Sequence, residues 1–346
     1  MDKQTHRKDE HVFIAEKFYQ AKAQNDLQQV KLLATNLPEL SLADVDLSSN
    51  FLGRKQAYPF FINAMTGGSP QTGKINAKLA TVAAKTGLAM AVGSQSIALK
   101  LPESESTFTT VRQANPAGFI LANLGAHHNL TNAKKAVALL DADALELHIN
   151  LAQELAMPEG DRSFYWLDNI REIVTNLDKP VLVKEVGAGI SPRSFPLLKK
   201  AGVKYLDLGG FGGTDFVAIE NERRQNKELG YFNELSLSTA QSLLGAKKFQ
   251  ADFSFTATGG IRTALDIIKC LVLGADNVGI AGHFLHILLR QGEDALIAEI
   301  NALKDQLRKL MVMLGCQTVS DLRSIPYILS PELESFNRQI DQLPFN

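Results

Sequence analysis

Eight short apolar runs recur along the chain: Pro59–Ala64, Leu88–Val92, Gly118–Ala122, Ala144–His148, Pro180–Lys184, Lys204–Leu208, Phe253–Thr258 and Asp276–Ala281. Each is apolar through its middle, and Gly, Ser, Thr or Asn residues follow it. Parallel strands buried on both faces read this way, because neither face needs polar residues for water. The segments between them carry helical spacing instead. Ile75, Leu79, Val82 and Ala83 share one helix face, as do Leu296, Ile300, Leu303, Leu307, Leu310 and Leu314 in the last long helix. Ser191 before Pro192 reads as a helix cap followed by proline at the first helical position. Eight strands alternating with helices predict an α/β fold, a single (β/α)8 TIM barrel, and a chain of 346 residues suits one such barrel. The competitor, a doubly wound sheet, wants GxGxxG after an early strand, and GGSPQTG at Gly67–Gly73 does not fit.

The pattern divides the chain into an N-terminal arm and helical lead-in (1–58), the barrel (59–314) and a C-terminal tail packing on or beside it (315–346). A helix is predicted from about Glu10 to Ala23. A polar insertion, roughly Gly209 to Asn233, follows the sixth strand and precedes a helix near Leu235–Leu244. Loops of that length usually act as lids or binding loops.

Charge and composition then narrow the class. Lys plus Arg number 36 against 37 for Asp plus Glu, a net charge of -1 that argues against a nucleic-acid binder. With 45% hydrophobic and 21% charged residues the chain can bury a large core, so disordered and fibrous readings fall away. Cys270 and Cys316 are too few and too distant for a disulfide framework or a cysteine metal site. MDKQTHRKDEH lacks the apolar core of a secretory signal. The uncharged stretch near Gln113–Ala133 is broken by Asn, Pro and His, so no membrane span is expected. A soluble cytoplasmic protein is the expectation.

In such a barrel the chemistry collects at the carboxyl ends of the strands. Thr258–Arg262 (TGGIR) and Ala281–Gly282 follow strands seven and eight, where backbone N–H groups beside helix starts form the phosphate site of this fold. Glycine is expected there so that the backbone can approach phosphate oxygens. Lys184 ends an otherwise apolar strand. It either snorkels to solvent or stands as a cation beside the N1/O2 edge of a flavin. His148, Asn150, Gln153 and Glu154 cluster after the fourth strand, with His148 and Asn150 on one face of extended chain. Glu154 is either a surface carboxylate or a single Mg²⁺ ligand completed by phosphate oxygens. His127 and His128 tempt as a metal pair, but adjacent histidines on extended chain point apart and no third ligand is evident. Arg7 and Lys8 would ordinarily belong to a frayed terminus.

Taken in order, RKDEH, AMTGG, GSQS, NLGA, HINLAQE, VLVKEVG, TATGGIR and GIAG resemble the type 2 isopentenyl-diphosphate isomerases, from about residue 6 to residue 323. HxNxxQE with an N-terminal RK is specific to that family, whereas AMTGG, KEVG and GGIR occur more widely among FMN-dependent barrels. The resemblance implies isomerisation of isopentenyl diphosphate to dimethylallyl diphosphate with reduced FMN and Mg²⁺, NADPH serving only to reduce the flavin. It implies FMN contacts at Ala64, Met65, Thr66, Ser94, Asn123, Lys184, Thr214, Gly259, Gly260, Arg262, Ala281 and Gly282. Arg7, Lys8, Ser94, Gln95, Ser96, His148, Asn150 and Gln153 would bind substrate, with His148 and Gln153 assisting catalysis, and Glu154 would hold the metal. Members are usually homotetramers or homo-octamers. Many carry arginine where this chain has Ser96, which puts one diphosphate contact in question.

A double-bond shift adds a proton at one carbon and removes one from another. No strong side-chain acid is evident at the strand ends apart from Glu154, so N5 of the reduced flavin is the expected acid and base. The alternative, an FMN barrel oxidoreductase of the hydroxyacid-oxidase type, needs a base histidine in a motif of the form HGxRQ, and the chain has none.

Overall fold

Apolar strands with no polar face close on themselves when helices cover their outside. The computed structural model, which describes residues 3–345, shows this closure. Two short strands pair with other partners: β1 (Val30–Leu32), and β2 (Ser49–Phe51), which forms a hairpin with β3 (Arg54–Gln56). Eight parallel strands make the barrel: β4 (Phe60–Ile62), β5 (Met90–Ala91), β6 (Ile120–Gly125), β7 (Ala144–His148), β8 (Val181–Lys184), β9 (Tyr205–Asp207), β10 (Ser254–Thr258) and β11 (Asn277–Ile280). They are joined in chain order, and β11 closes onto β4 through Val278↔Phe60. The predicted eight-stranded barrel is thus the observed one, each strand lying within the run that announced it except β6, which continues three residues past Ala122 to Gly125.

The helices are α1 (Lys3–Lys17), α2 (Pro70–Thr86), α3 (Ser106–Ala114), α4 (Leu130–Leu140), α5 (Leu151–Ala156), α6 (Leu167–Asn176) and α7 (Phe195–Lys200). They continue with α8 (Phe216–Glu222), α9 (Thr239–Ala246), α10 (Ala264–Val272), α11 (Gly282–Gln291), α12 (Glu293–Leu314) and α13 (Pro331–Gln342). A last strand, β12 (Tyr327–Leu329), runs antiparallel to β1, so the lead-in and the tail are stitched together outside the barrel.

One end of the barrel is shut. Phe51 and Leu52 at the tip of the β2–β3 hairpin are buried against Phe61, Ala89, Phe119 and Leu182, with the Phe51 and Phe61 rings 4.6 Å apart. The turn works because Leu52 and Gly53 both take the left-handed conformation, the geometry of a tight hairpin. With the amino end plugged, an open site can form only at the carboxyl end.

The structure corrects two boundaries. The N-terminal helix runs Lys3–Lys17 rather than Glu10–Ala23. Beyond Lys17 the chain turns to follow the barrel rim, where loop groups satisfy its backbone: Arg262 donates to the Gln20 carbonyl and Gln24 N to Gly212 O at 3.4 Å. The insertion after β9 is not all loop. Asp215 caps α8 by accepting from Ala218 N at 2.8 Å, and the buried Val217 and Ile219 hold that helix down. The next helix starts at Thr239, where Ser238 and Gln241 form a capping box, rather than at Leu235.

Candidate active site

The carboxyl ends of the strands surround a cavity of about 760 Å³. Helix α1 packs against α2, α8 and α11, and Arg7, Lys8, His11 and Glu16 border the cavity from it. The expected fraying at the terminus is therefore not seen in α1, which is pinned on three sides. Asp9 accepts from Ser69 Oγ at 2.5 Å, Lys17 pairs with Glu222 at 3.0 Å, and Glu16 takes His286 and Arg290 at 2.9 and 2.6 Å.

Of the residues expected at the site, all but one border this cavity. The exception is Gln95, which is fully buried behind the wall. Its Nε2 donates to Ala136 O at 3.0 Å and its Oε1 accepts from Asn123 N at 3.0 Å. Both ends of the amide are spent on backbone, so Gln95 braces β6 and reaches no substrate.

At one side of the cavity lie Thr214, Gly259, Gly260, Arg262, Ala281 and Gly282. The amides of Thr214, Gly259 and Gly260 find no acceptor among the described residues. Arg262 stacks its guanidinium 4.8 Å over the Tyr19 ring, and its Nε is buried without a partner. This is a donor-rich pocket for an anion. The structure shows a further reason for glycine here. Gly259 and Gly260 have positive φ, and a Cβ on them would strike the Gly210 and Gly212 carbonyls of the neighbouring loop. The contact between two loops by itself requires glycine at both positions.

Beneath the cavity sits a buried charge pair. Lys184 Nζ donates to Asp207 Oδ2 at 3.0 Å and to Glu185 O at 3.1 Å, with both residues closed to solvent. Asp207 also accepts from Asn63 Nδ2 at 2.8 Å, from Gly209 N at 3.2 Å and from the Thr258 hydroxyl. Burial works against the lysine charge, but Asp207 and Glu146 more than restore it, and its pKa is raised. Lys184 does not snorkel to solvent.

Opposite, the HINLAQE segment turns from β7 into α5. Gln153 donates to Glu220 Oε1 at 3.0 Å, and Asn150 donates to Gln153 and Glu154 at 3.1 and 3.0 Å. Glu220 on α8 is fully buried and also takes His11 Nε2 at 2.9 Å and Arg223 at 2.6 Å. Burial opposes its ionisation, but these donors outweigh it and hold the carboxyl at about 2. Glu220 thus fixes which way the Gln153 amide points. Lys8 is half-buried, and among the described residues no carboxylate pairs with it. Its contact is the Ser94 carbonyl at 3.4 Å. Burial, with Arg7 beside it, lowers its pKa to about 8. A cation held under those conditions calls for an anion from outside.

Two further expectations change. His127 and His128 do not point apart: their rings lie 4.1 Å apart, and His128 bonds Ser96 Oγ at 2.8 Å and Asn132 at 3.0 Å. Nor is Glu154 the sole carboxylate at the strand ends. Glu159, Asp161 and Asp215 also border the cavity, and Glu146, Glu185, Asp207 and Glu220 are buried around it. A charged residue inside an apolar strand, as in ALELH and KYLDL, was the available signal for Glu146 and Asp207. Glu220, in a helix taken for loop, had none. No group of three or more His, Cys, Asp or Glu among the described residues could hold a metal unaided.

Comparison with known proteins agrees with this geometry. Residues 105–327 match the family model described as FMN-dependent dehydrogenase. The chain is 51% identical over 333 residues to the isopentenyl-diphosphate delta-isomerase of Latilactobacillus sakei, covering 96% of this chain and 95% of that one. It is 46% identical over 333 residues to the protein of the same name from Moorella thermoacetica, covering 95% of each. Among solved structures, a flavocytochrome b2 mutant matches with a TM-score of 0.66 at 17% identity, over 93% of this chain and 83% of that one. A mandelate oxidase variant with benzoyl-formic acid matches at 0.64 and 16%, over 93% and 91%. At such identities these two likenesses speak to the barrel alone.

Proposed function

The chain belongs to the type 2, FMN-dependent isopentenyl-diphosphate delta-isomerases, and from that membership we propose how its cavity divides the work. The enzyme interconverts isopentenyl diphosphate and dimethylallyl diphosphate with FMN as cofactor. On our reading Thr214, Gly259, Gly260, Arg262, Ala281 and Gly282 hold the FMN phosphate, and Ala64, Met65, Thr66, Ser94, Asn123 and Lys184 face the rest of the cofactor. The orphaned Arg262 Nε and the free loop amides fit a phosphate, and the buried Lys184 fits the anionic edge of a reduced ring. When bound and reduced, FMN supplies through N5 the acid–base capacity for the double-bond shift.

The chain's own residues bind and orient. Arg7 and Lys8 hold the diphosphate, with Ser96, His148 and Asn150 as polar contacts. Because Ser96 Oγ is engaged by His128, we assign the cation an arginine would supply there to Lys100, which borders the same wall. Gln153, held by Glu220, presents its amide to the alkene end. Glu154 would hold Mg²⁺, which with the diphosphate would neutralise and position the substrate's charge. NADPH is the reductant, the cytoplasm the compartment and a homotetramer or homo-octamer the assembly. Among the described residues no helix is long and apolar enough to cross a membrane.

One observation carries this reading: a single cavity contains both a donor-rich loop pocket and a separate half-buried cation, Lys8, without an acidic partner among the described residues. That makes two anion sites, one for a cofactor phosphate and one for a diphosphate. The hydroxyacid-oxidase reading lacks the HGxRQ histidine. His148, its pKa pushed down to about 3 by burial and neighbouring cations, would be a weak base, and His283 Nδ1 is engaged by Tyr19 at 3.0 Å.

The decisive assay uses purified protein. It is expected to be yellow, to convert isopentenyl diphosphate only after reduction by NADPH, and to stop in excess chelator. Absence of flavin absorbance, or oxidation of a 2-hydroxy acid in place of isomerisation, overturns the reading. A narrower check is Gly282→Val. A Cβ there meets Thr214 Oγ1 at 2.9 Å, so that one side chain must give way while the first turn of α11 is obstructed. FMN retention is expected to fall on the order of tenfold, a loss of about 1.4 kcal/mol, with the melting temperature little changed.

A further inference from the structure

We propose that Glu146, sealed inside the barrel, decides through Asn123 which ring nitrogen of His148 carries the proton, and so whether His148 accepts or donates at the cavity. This rests on the reading above only in placing the substrate's anion beside His148.

The three side chains form one line. Asn123 Nδ2 donates to Glu146 Oε2 at 2.8 Å, and Asn123 Oδ1 lies 2.9 Å from His148 Nδ1. A carboxylate can only accept, so an ionised Glu146 must face the NH₂ end of the amide. That leaves the amide oxygen toward His148, and an oxygen can only accept, so Nδ1 must bear the ring proton. In a neutral imidazole Nε2 is then bare. Nε2 bonds nothing among the described residues and His148 borders the cavity, so the site presents an acceptor. An acceptor is the wrong partner for a diphosphate oxygen.

Protonating Glu146 reverses each link. A proton on Oε1 finds no acceptor, since that atom is buried without a partner. A proton on Oε2 is satisfied only if the Asn123 amide turns its oxygen toward it, and a buried hydroxyl left unpaired costs about 1–3 kcal/mol. The turned amide offers its NH₂ to Nδ1, which must be bare, and the ring proton moves to Nε2. One proton has been taken up, at Glu146. His148 stays neutral and now donates into the cavity.

The surroundings favour such an exchange. Glu146 is faced by Lys184 from β8, Asp207 from β9 and Asn123 from β6. Burial, with Asp207 beside it, lifts its pKa to about 7 against the pull of Lys184 and Asn123. His148 is faced by His127, Lys8, Lys184 and His128, and burial together with these neighbours pushes its pKa down to about 3. A change at His148 near neutral pH is therefore a change of tautomer, not formation of an imidazolium.

Because Lys8 also titrates close by, the tautomer must be read directly. Holoenzyme labelled with ¹⁵N-histidine is followed from about pH 5.5 to about pH 8.5, a range spanning neutrality, with and without inorganic pyrophosphate. The expected result is that His148 Nε2 changes from protonated to bare as pH rises, and that pyrophosphate at the alkaline end restores the protonated form. In Glu146→Gln the amide partners Asn123 either way round without titrating, so the tautomer becomes independent of pH while FMN content is unchanged. A wild-type His148 that keeps one tautomer throughout overturns the proposal, as does a Glu146→Gln protein that titrates like wild type. Wild-type holoenzyme that fails to isomerise counts against the functional reading instead, and leaves the tautomer measurement standing.

Discussion

Glu154→Gln is expected to lower kcat by about 10²–10³-fold while FMN stays bound. A metal that clamps phosphate oxygens contributes several kcal/mol, and each 1.4 kcal/mol is a factor of about ten in rate. Glu154 borders the cavity and has lone pairs to spare. Its Oε1 accepts from Asn150 Nδ2 at 3.0 Å and its Oε2 from Asp161 N at 2.8 Å, one donor to each oxygen. The substitution removes the negative charge that Mg²⁺ needs. It also places an NH₂ group against one of two donors, so a small loss of stability accompanies it. The two effects separate by measurement. A lost metal ligand shifts the Mg²⁺ concentration needed for half activity, whereas a loosened loop lowers the melting temperature and leaves that concentration alone. Wild-type Mg²⁺ dependence in the variant would falsify the assignment of Glu154 as the ligand.

The barrel was legible because its strands are buried on both faces, which leaves a signature of apolar runs that tertiary context has no reason to override. β7 is the sharpest case, the run Ala144–His148 coinciding with the strand. The cavity-wall residues were legible for a related reason: strand ends sit at the mouth by topology, so Lys184, His148 and the TGGIR turn fall there whatever else the chain does. Sequence position failed where the third dimension decides. Gln95 stands between Ser94 and Ser96, which both border the cavity, yet it points into the wall, because a short 3₁₀ turn from Gln95 to Ile97 swings successive side chains to different sides. Glu220 belongs to a helix more than sixty residues from Gln153, and only folding brings them within 3.0 Å. The steric reason for the turn glycines was not legible, since loop-on-loop contact is a long-range fact. Glu146 was readable in principle, lying two residues before His148 on the same strand face.

Deleting residues 1–9 is expected to raise the substrate KM by on the order of tenfold or more and to lower kcat as well, with FMN content unchanged. The deletion removes Arg7, Lys8 and the Asp9–Ser69 anchor. It spares His11 on Glu220, Lys17 on Glu222 and Glu16 on His286 and Arg290, so the second half of α1 keeps its place. The cofactor side is spared too, because Asn25 still holds the Gly260 carbonyl at 2.8 Å and Tyr19 still lies under Arg262. Two effects are folded into the loss, and a second protein resolves them. Arg7→Ala with Lys8→Ala keeps the helix across the mouth but removes both cations, so it should raise KM with a smaller fall in kcat. The cations contribute mainly to holding the diphosphate, whereas the helix also excludes water from the reacting alkene. The KM effect should weaken as salt is raised, since both Arg7 and Lys8 are only half-buried and so partly screened. If the truncated enzyme keeps wild-type KM and kcat, α1 is merely a packed helix. Lys100, the other cation assigned to that wall, would then have to hold the diphosphate without it.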